Sequence, residues 1–452
     1  MGDVTVFRGP MVVTMDAQGT VLPSADVVVA GGRIAAIAPP GTARTEGATV
    51  MDAAGRVLIP GLVQTHVHLC QTLFRGAADD RELLSWLQEV IWPLEGAHDP
   101  DSVYASARLG IAELLRGGTT TILDMETVHH TEAAFQAIAE GGIRALSGKC
   151  LMDAGEEVPP SLREPTDAAL QESVDLLERW QGRDGGRLGY AFAPRFTLSC
   201  SDACLKAVGE LAERYRVPVH THAAESRAEV DLVRTRRGLG PIAHFAALGL
   251  LKPGLIMAHG VWADADDLQA VAAAGAAFTH CPSSNLKLAS GLADPVAWSR
   301  AGVRFGLGAD GAPCNNTLDA FQELRLAALL PKPRYGPTAM PARAAFAAAT
   351  IGGARVLGLE DRIGSIEPGK EADLVLLDWS GPHHAPRAAG DVYGQLVYQT
   401  RSDDVVLTMV AGRVVYRDGR LLTLDEAEVY RQAETAVRRV AARAGVTLPG
   451  PA

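Results

Sequence analysis

The chain has 452 residues, 47% apolar and 21% charged, with a formal net charge of −11. That apolar share excludes large-scale disorder, the acidic balance without a basic stripe excludes a nucleic-acid partner, and no run of about 18 apolar residues offers a membrane span. Met1-Gly2-Asp3-Val4 shows no basic, apolar leader, and the six cysteines form no C-x-x-C pair, so a reduced, cytoplasmic protein without disulfides is expected.

The first sixty residues read as short strands broken by turns: residues 4–7, residues 11–15, and a hairpin of 26–30 with 33–37 around Gly31-Gly32. Residues 58–350 change texture, with short apolar strands each followed by an Ala/Leu/Glu-rich helical stretch. Residues 57–60 leading into 63–66 form the first strand candidate. Seven more follow at 119–124, 143–146, 189–193, 218–222, 255–259, 276–280 and 303–307. Eight such units predict a (β/α)8 TIM-type barrel. A doubly wound sheet would usually carry a Gly-rich phosphate loop after its first strand, which is missing. Strands return at 372–378 and in a hairpin of 405–410 with 413–416, and an amphipathic helix is expected at 425–444 with Thr423 and Glu426 as a capping box. The expected organisation is a small β-sandwich built from residues 1–57 and 361–422, a barrel over 58–360, and a C-terminal helix and tail over 423–452.

Barrel active sites lie at the C-terminal strand ends. Five such ends carry His or Asp here: His66 and His68, His222, His259, His280 and Asp310. His66-Val67-His68 places two imidazoles on one face of an extended strand. Taken singly each residue has a plain structural reading: an incidental pair, a hydrogen-bonded His222, an Asp310 that caps the next helix. Together, three imidazoles and one carboxylate make a site for Zn2+, with Fe2+ the alternative. Glu225, three residues past His222, is the nearest acid to serve a metal-activated water as base or proton shuttle, and is equally an ordinary first-turn acid. His259 fits a second polar group on the water or leaving group better than a fifth ligand, and His280 has a structural reading.

Several segments carry a resemblance: Pro60-Gly61-Leu62-Val63-Gln64-Thr65-His66-Val67-His68, His222-Ala223-Ala224-Glu225, Ala258-His259-Gly260, the run from His280-Cys281-Pro282 to Leu288, and Gly308-Ala309-Asp310-Gly311-Ala312-Pro313-Cys314-Asn315-Asn316. The chain resembles the amidohydrolase superfamily over essentially its whole length, in the branch of purine and nucleoside deaminases and chlorohydrolases. The resemblance implies one divalent metal on His66, His68, His222 and Asp310, with Glu225 as proton shuttle and His259 polarising substrate or orienting the nucleophile. It implies hydrolytic deamination, in which activated water attacks the amine-bearing ring carbon. Glu225 protonates the adjacent ring nitrogen, Asp310 takes a proton from the water, and ammonia leaves. It also implies a homo-oligomer.

The loop from Arg75 through Trp86, Trp92 and Glu95 is similar to that of 5′-deoxyadenosine, S-adenosylhomocysteine and methylthioadenosine deaminases, where a Glu at the position of Glu95 binds the ribose hydroxyls. Trp86 and Trp92 would wall the purine or pack beneath the loop. Gln71, Lys149 and Arg195 are instead similar to guanine deaminase, where the corresponding Gln and Arg bind the base. The expected substrate is a 6-aminopurine nucleoside, with guanine or a related pterin or triazine as the alternative. A binuclear cyclic amidase would need a Lys where strand four ends in Arg195. A cytidine-deaminase site would need P-C-x-x-C, and Pro313-Cys314 lacks its second Cys. A non-catalytic scaffold is the remaining alternative, disfavoured because every site position is filled.

Overall fold

The computed structural model describes residues 4–450; residues 1–3, where the leader expectation begins, and 451–452, which end the expected tail, lie outside the described residues. Among the described residues the central sheet holds nine parallel strands, eight in one row, β1 (Leu62–His68), β2 (Thr119–Met125), β3 (Arg144–Gly148), β4 (Leu188–Tyr190), β5 (Val219–Ala223), β6 (Leu255–His259), β7 (Ala277–His280) and β8 (Arg304–Leu307), and the short Asp310–Gly311 beside β1. Their order is β4-β3-β2-β1-β8-β7-β6-β5, and just past β4 Phe192 makes a parallel bridge to Val219 at the start of β5. β1 and β2 are buried along their whole length, as expected of parallel strands covered on both faces. Polar side chains inside this layer satisfy one another. Gln64 donates to Thr119 Oγ1 and the Leu318 carbonyl and accepts from Ala309 N, and Thr65 Oγ1 meets Thr279 Oγ1 at 2.9 Å.

The terminal segments form two further sheets. Val4–Arg8 lies between Asp26–Ala30 and Ala48–Asp52, and Arg33–Ala38 completes the hairpin. In the second sheet Met11–Val13 and Val57–Pro60 join Leu374–Leu377, Val405–Val410 and Arg413–Arg417. Val57–Pro60 therefore does not belong to the first barrel strand as expected; it pairs antiparallel with Leu374–Leu377. The chain crosses to the central sheet at Gly61, where a Cβ would sit 2.1 Å from Thr120 Oγ1. One buried cluster, including Phe7, Val27, Met51, Leu58, Leu374 and Met409, joins the two terminal sheets.

The C-terminal helix spans Glu426–Ala444 and packs on the helix Pro100–Arg116. Its cap corrects the expected pair: Asp425 accepts from Glu428 N, while Thr423 Oγ1 donates to the Gly141 carbonyl. All six cysteines are free and buried, and among the described residues no helix is long and apolar enough to cross a membrane.

Candidate metal centre and pocket

The strand ends converge as expected. His66 and His68 project from one face of β1, His222 is the penultimate residue of β5, His259 ends β6 and Asp310 follows β8, its backbone paired with Val67. One donor atom from each of His66, His68, His222 and Asp310 lies within 4.8 Å of the others. Asp310 Oδ1 is 3.1 Å from His66 Nε2 and 3.4 Å from His68 Nε2, and the Nε2 atoms of His68 and His222 are 3.2 Å apart.

The tautomers decide what these donors can hold. His68 Nδ1 donates to the Met125 carbonyl and His222 Nδ1 to the Arg195 carbonyl, each at 2.8 Å. Both Nε2 atoms are then bare lone pairs facing each other, which is repulsive unless a cation lies between them. His66 Nδ1 meets His220 Nε2 at 2.7 Å, while its buried Nε2 has no hydrogen-bond partner. Donors on an ion with tetrahedral bonds of ~2.0–2.1 Å are roughly 3.3–3.4 Å apart, close to these separations. The four residues fit a dication, and the carbonyl and His220 partners fix the ring orientations as outer partners do in metal sites.

Charge agrees with that fit. Burial, then the neighbouring His66, pushes His68 down to about 3, and burial likewise lowers His66 and His222. Burial alone would raise Asp310, but His66, His259 and His68 hold it well below the carboxylate range. These directions favour neutral imidazoles and an ionised carboxylate, the forms in which such ligands bind a metal. Ser284 Oγ donates to Asp310 Oδ2 at 2.6 Å and Gly311 N to Oδ1 at 2.8 Å, fixing the carboxylate.

Glu225 sits beside this cluster, with Oε2 3.4 Å from His259 Nε2 and Oε1 accepting from Ser290. Burial, reinforced by Asp310, pushes its carboxyl well above the usual range, which favours its protonated form. Glu229 clamps the turn from behind by accepting from Ala224 N and Glu225 N. His259 Nδ1 shares a 2.9 Å hydrogen bond with Asn285 Oδ1, which leaves Nε2 unpartnered and facing Glu225 and Asp310. Three non-glycine residues here, Ala224, His259 and Asp310, hold positive φ of 52°, 79° and 64°. Such strain concentrates at functional sites, where the fold dictates side-chain direction against local preference.

A cavity open to solvent lies above the quartet. Leu83, Trp86, Leu87, Phe196 and Leu288 supply apolar walls; Gln71 and Arg195 join the polar ones. Of the expected substrate contacts, Gln71, Trp86 and Arg195 reach this cavity. Glu95 does not line it: it is 2% exposed, accepts from Gln71 Nε2 at 2.7 Å and from Arg195 at 2.6 and 3.3 Å, and lies behind both. Trp92 packs beneath Arg195 with the ring centroid 6.0 Å from the guanidinium carbon. Lys149 is also off the pocket, because its ammonium is drawn to Glu164 and Glu172, each at 2.8 Å, and to the Val128 carbonyl. Arg75 pairs with Glu113 and the Asn316 carbonyl. His280 is buried against Trp298 with neither ring nitrogen partnered.

Residues not anticipated as functional are His220, Ser284, Asn285, Ser290 and Glu229. His220-Thr221-His222 repeats the His-x-His spacing of β1, a signal that was available in the sequence.

Comparisons with known proteins agree with this architecture. A methylthioadenosine/S-adenosylhomocysteine deaminase of Symbiobacterium thermophilum is 40% identical over 96% of this chain and 98% of its own. A 5′-deoxyadenosine deaminase of Methanosarcina acetivorans is 35% identical over 98% of this chain and 100% of its own. The crystal structure of an adenosine deaminase from Xanthomonas campestris with bound zinc superposes with a TM-score of 0.90 at 35% identity, covering 98% of this chain and 99% of that one. The amidohydrolase family profile matches residues 57–415, and the chain belongs to the amidohydrolase family.

Proposed function

We propose that the protein is a metal-dependent hydrolytic deaminase of 6-aminopurine nucleosides, with 5′-deoxyadenosine, methylthioadenosine, S-adenosylhomocysteine or adenosine as substrate. The observation that carries the reading is the buried Glu225 carboxyl, 3.4 Å from His259 Nε2, set beside a His3Asp quartet in a cavity walled in part by Trp86 and Phe196. The nucleoside class rests on the relatives, which are named for these reactions and span nearly the whole chain.

His66, His68, His222 and Asp310 would hold the ion, with Zn2+ favoured by the nitrogen-rich donor set. When bound, it supplies a Lewis-acidic centre that brings the pKa of water towards neutrality. The chain's own groups do the rest. The purine lies between Trp86 and Phe196, with its ring nitrogen towards Glu225. Glu225 protonates that nitrogen, so attack at the amine-bearing carbon builds no negative charge on the ring. Asp310 accepts a proton from the attacking water, and His259 Nε2, aimed by Asn285, orients it. Asp310 returns its proton to the amine, which leaves as ammonia with the C–N bond pair, and the added hydroxyl gives its proton to Glu225 as the carbonyl of the inosine analogue forms. Glu95 holds Arg195 in place to donate to the base, and fixes Gln71 by its amide nitrogen, leaving Gln71 Oε1 unpartnered as an acceptor.

We further propose that β1–β8 close into a (β/α)8 barrel through the Phe192–Val219 bridge, and that the two terminal sheets form a β-sandwich domain meeting it near Gly61. The six free thiols support a reducing setting, the cytoplasm.

An ammonia-release screen of adenosine, 5′-deoxyadenosine, methylthioadenosine, S-adenosylhomocysteine, guanine, a pterin and a triazine tests the reading. Turnover of one or more 5′-modified adenosines is expected. Guanine is the second reading, favoured by Gln71 and Arg195 both facing the cavity. A response to guanine alone would replace the substrate and leave the roles of the quartet and Glu225 standing.

A further inference from the structure

A second set of metal-binding side chains lies away from the pocket, where Leu374–Leu377 ends and Val405–Val410 begins. His383 and His384 turn both Nε2 atoms onto one carboxylate, that of Asp404. His383 Nε2 is 3.0 and 3.1 Å from its two oxygens, and His384 Nε2 is 3.0 Å from Oδ2. The three donor atoms lie within 4.8 Å of one another.

Their surroundings favour a cation. Asp404 is buried, yet its only ionic partners are the two imidazoles; no Lys or Arg side chain among the described residues pairs with it. The nearby Arg387 donates instead to the carbonyls of Trp379 and Gly55. A buried carboxylate is ordinarily matched by a permanent cation or a metal. The donors are also held in place: Arg401 N donates to Asp404 Oδ2 at 2.8 Å, and His384 stacks on Trp379 with centroids 5.1 Å apart. The His383 side chain is 27% exposed, which leaves an approach for an ion and for water as its remaining ligand. Two imidazoles and a carboxylate suit zinc-class divalent ions rather than Mg2+ or Ca2+, which prefer all-oxygen shells.

We propose that His383, His384 and Asp404 form a second, solvent-accessible binding site for a zinc-class divalent ion, independent of the catalytic quartet. The chain stripped by chelator is reloaded with Zn2+, freed of excess ion, and its zinc counted by elemental analysis beside the variants His383→Gln and Asp404→Asn. The expected result is one zinc per chain fewer in each variant than in the natural protein, with deaminase turnover unchanged. Crystals of the natural protein grown with Zn2+ test the same site without a variant, through an anomalous peak expected between the three donors. Equal zinc counts in all three proteins, or no anomalous peak there, would overturn the proposal. Neither readout depends on the substrate or on the catalytic reading.

Discussion

The carboxylate of Glu95 grips the guanidinium of Arg195 at 2.6 Å from 100 positions away, Glu95 buried behind the pocket wall that Arg195 helps to form. A carboxylate so engaged, and also accepting from Gln71, braces two side chains that line the pocket. Truncating one partner of a buried ion pair costs about 3–5 kcal/mol because the other is left uncompensated. Glu95→Ala is therefore expected to lower the unfolding free energy by about that much and to reduce kcat/KM for nucleosides and free bases alike. Denaturant titration and paired kinetics check this; a loss confined to nucleosides would restore a ribose role.

Glu225 gives the second prediction. It donates no atom to the quartet, so Glu225→Gln is expected to keep its bound metal. Removing a positioned proton donor costs about 10²- to 10⁴-fold. Steady-state kcat should fall by that factor at unchanged metal content, read by elemental analysis of the same preparation.

His98 predicts a pH dependence of stability. Its ring bonds Ser102 and the Cys70 carbonyl under the loop that carries Gln71, and burial pushes it from the ordinary 6.5 down to about 4. A base with a folded pKa below its unfolded one takes up its proton on unfolding. Stability from this group is therefore intact above pH 6.5, falls as pH drops towards 4, and falls no further below. The loss is about 3 kcal/mol, from the shift at ~1.4 kcal/mol per unit. Urea unfolding from pH 7.5 to 3.5 should show that decline in the natural protein and a shallower one in His98→Gln.

Gly308 sits where the chain leaves β8 to place Asp310. A Cβ there would lie 2.5 Å from the His66 carbonyl oxygen and 2.9 Å from its nitrogen, both backbone atoms that cannot swing away. Gly308→Ala is expected to cost about 1–3 kcal/mol by overpacking and to weaken metal retention by pushing Asp310 off His66. Thermal melts with and without added Zn2+ check both effects.

The quartet was legible because each member lies in the last residues of a strand or just past one, and strand ends in this architecture share one mouth. His220 carried the same alternating signal as His66 and His68. The partners of Glu95 and Lys149 were not legible: each is fixed by groups brought near only by the fold, Arg195 for one, Glu164 and Glu172 for the other. Val57–Pro60 read as the start of β1 because the apolar run continues through Gly61, and only its pairing with the distant Leu374–Leu377 shows that the chain changes sheet there. At the last helix, Asp425 outcompeted Thr423 because Thr423 is drawn to the Gly141 carbonyl.

Anomalous scattering at the zinc absorption edge, from crystals of enzyme shown to release ammonia, is the sharpest test of the metal assignment. The expected result is a peak bonded at ~2.0–2.2 Å to His66 Nε2, His68 Nε2, His222 Nε2 and an Asp310 oxygen. Active crystals with no metal at that position, or with these four donors turned away from one another, would contradict it.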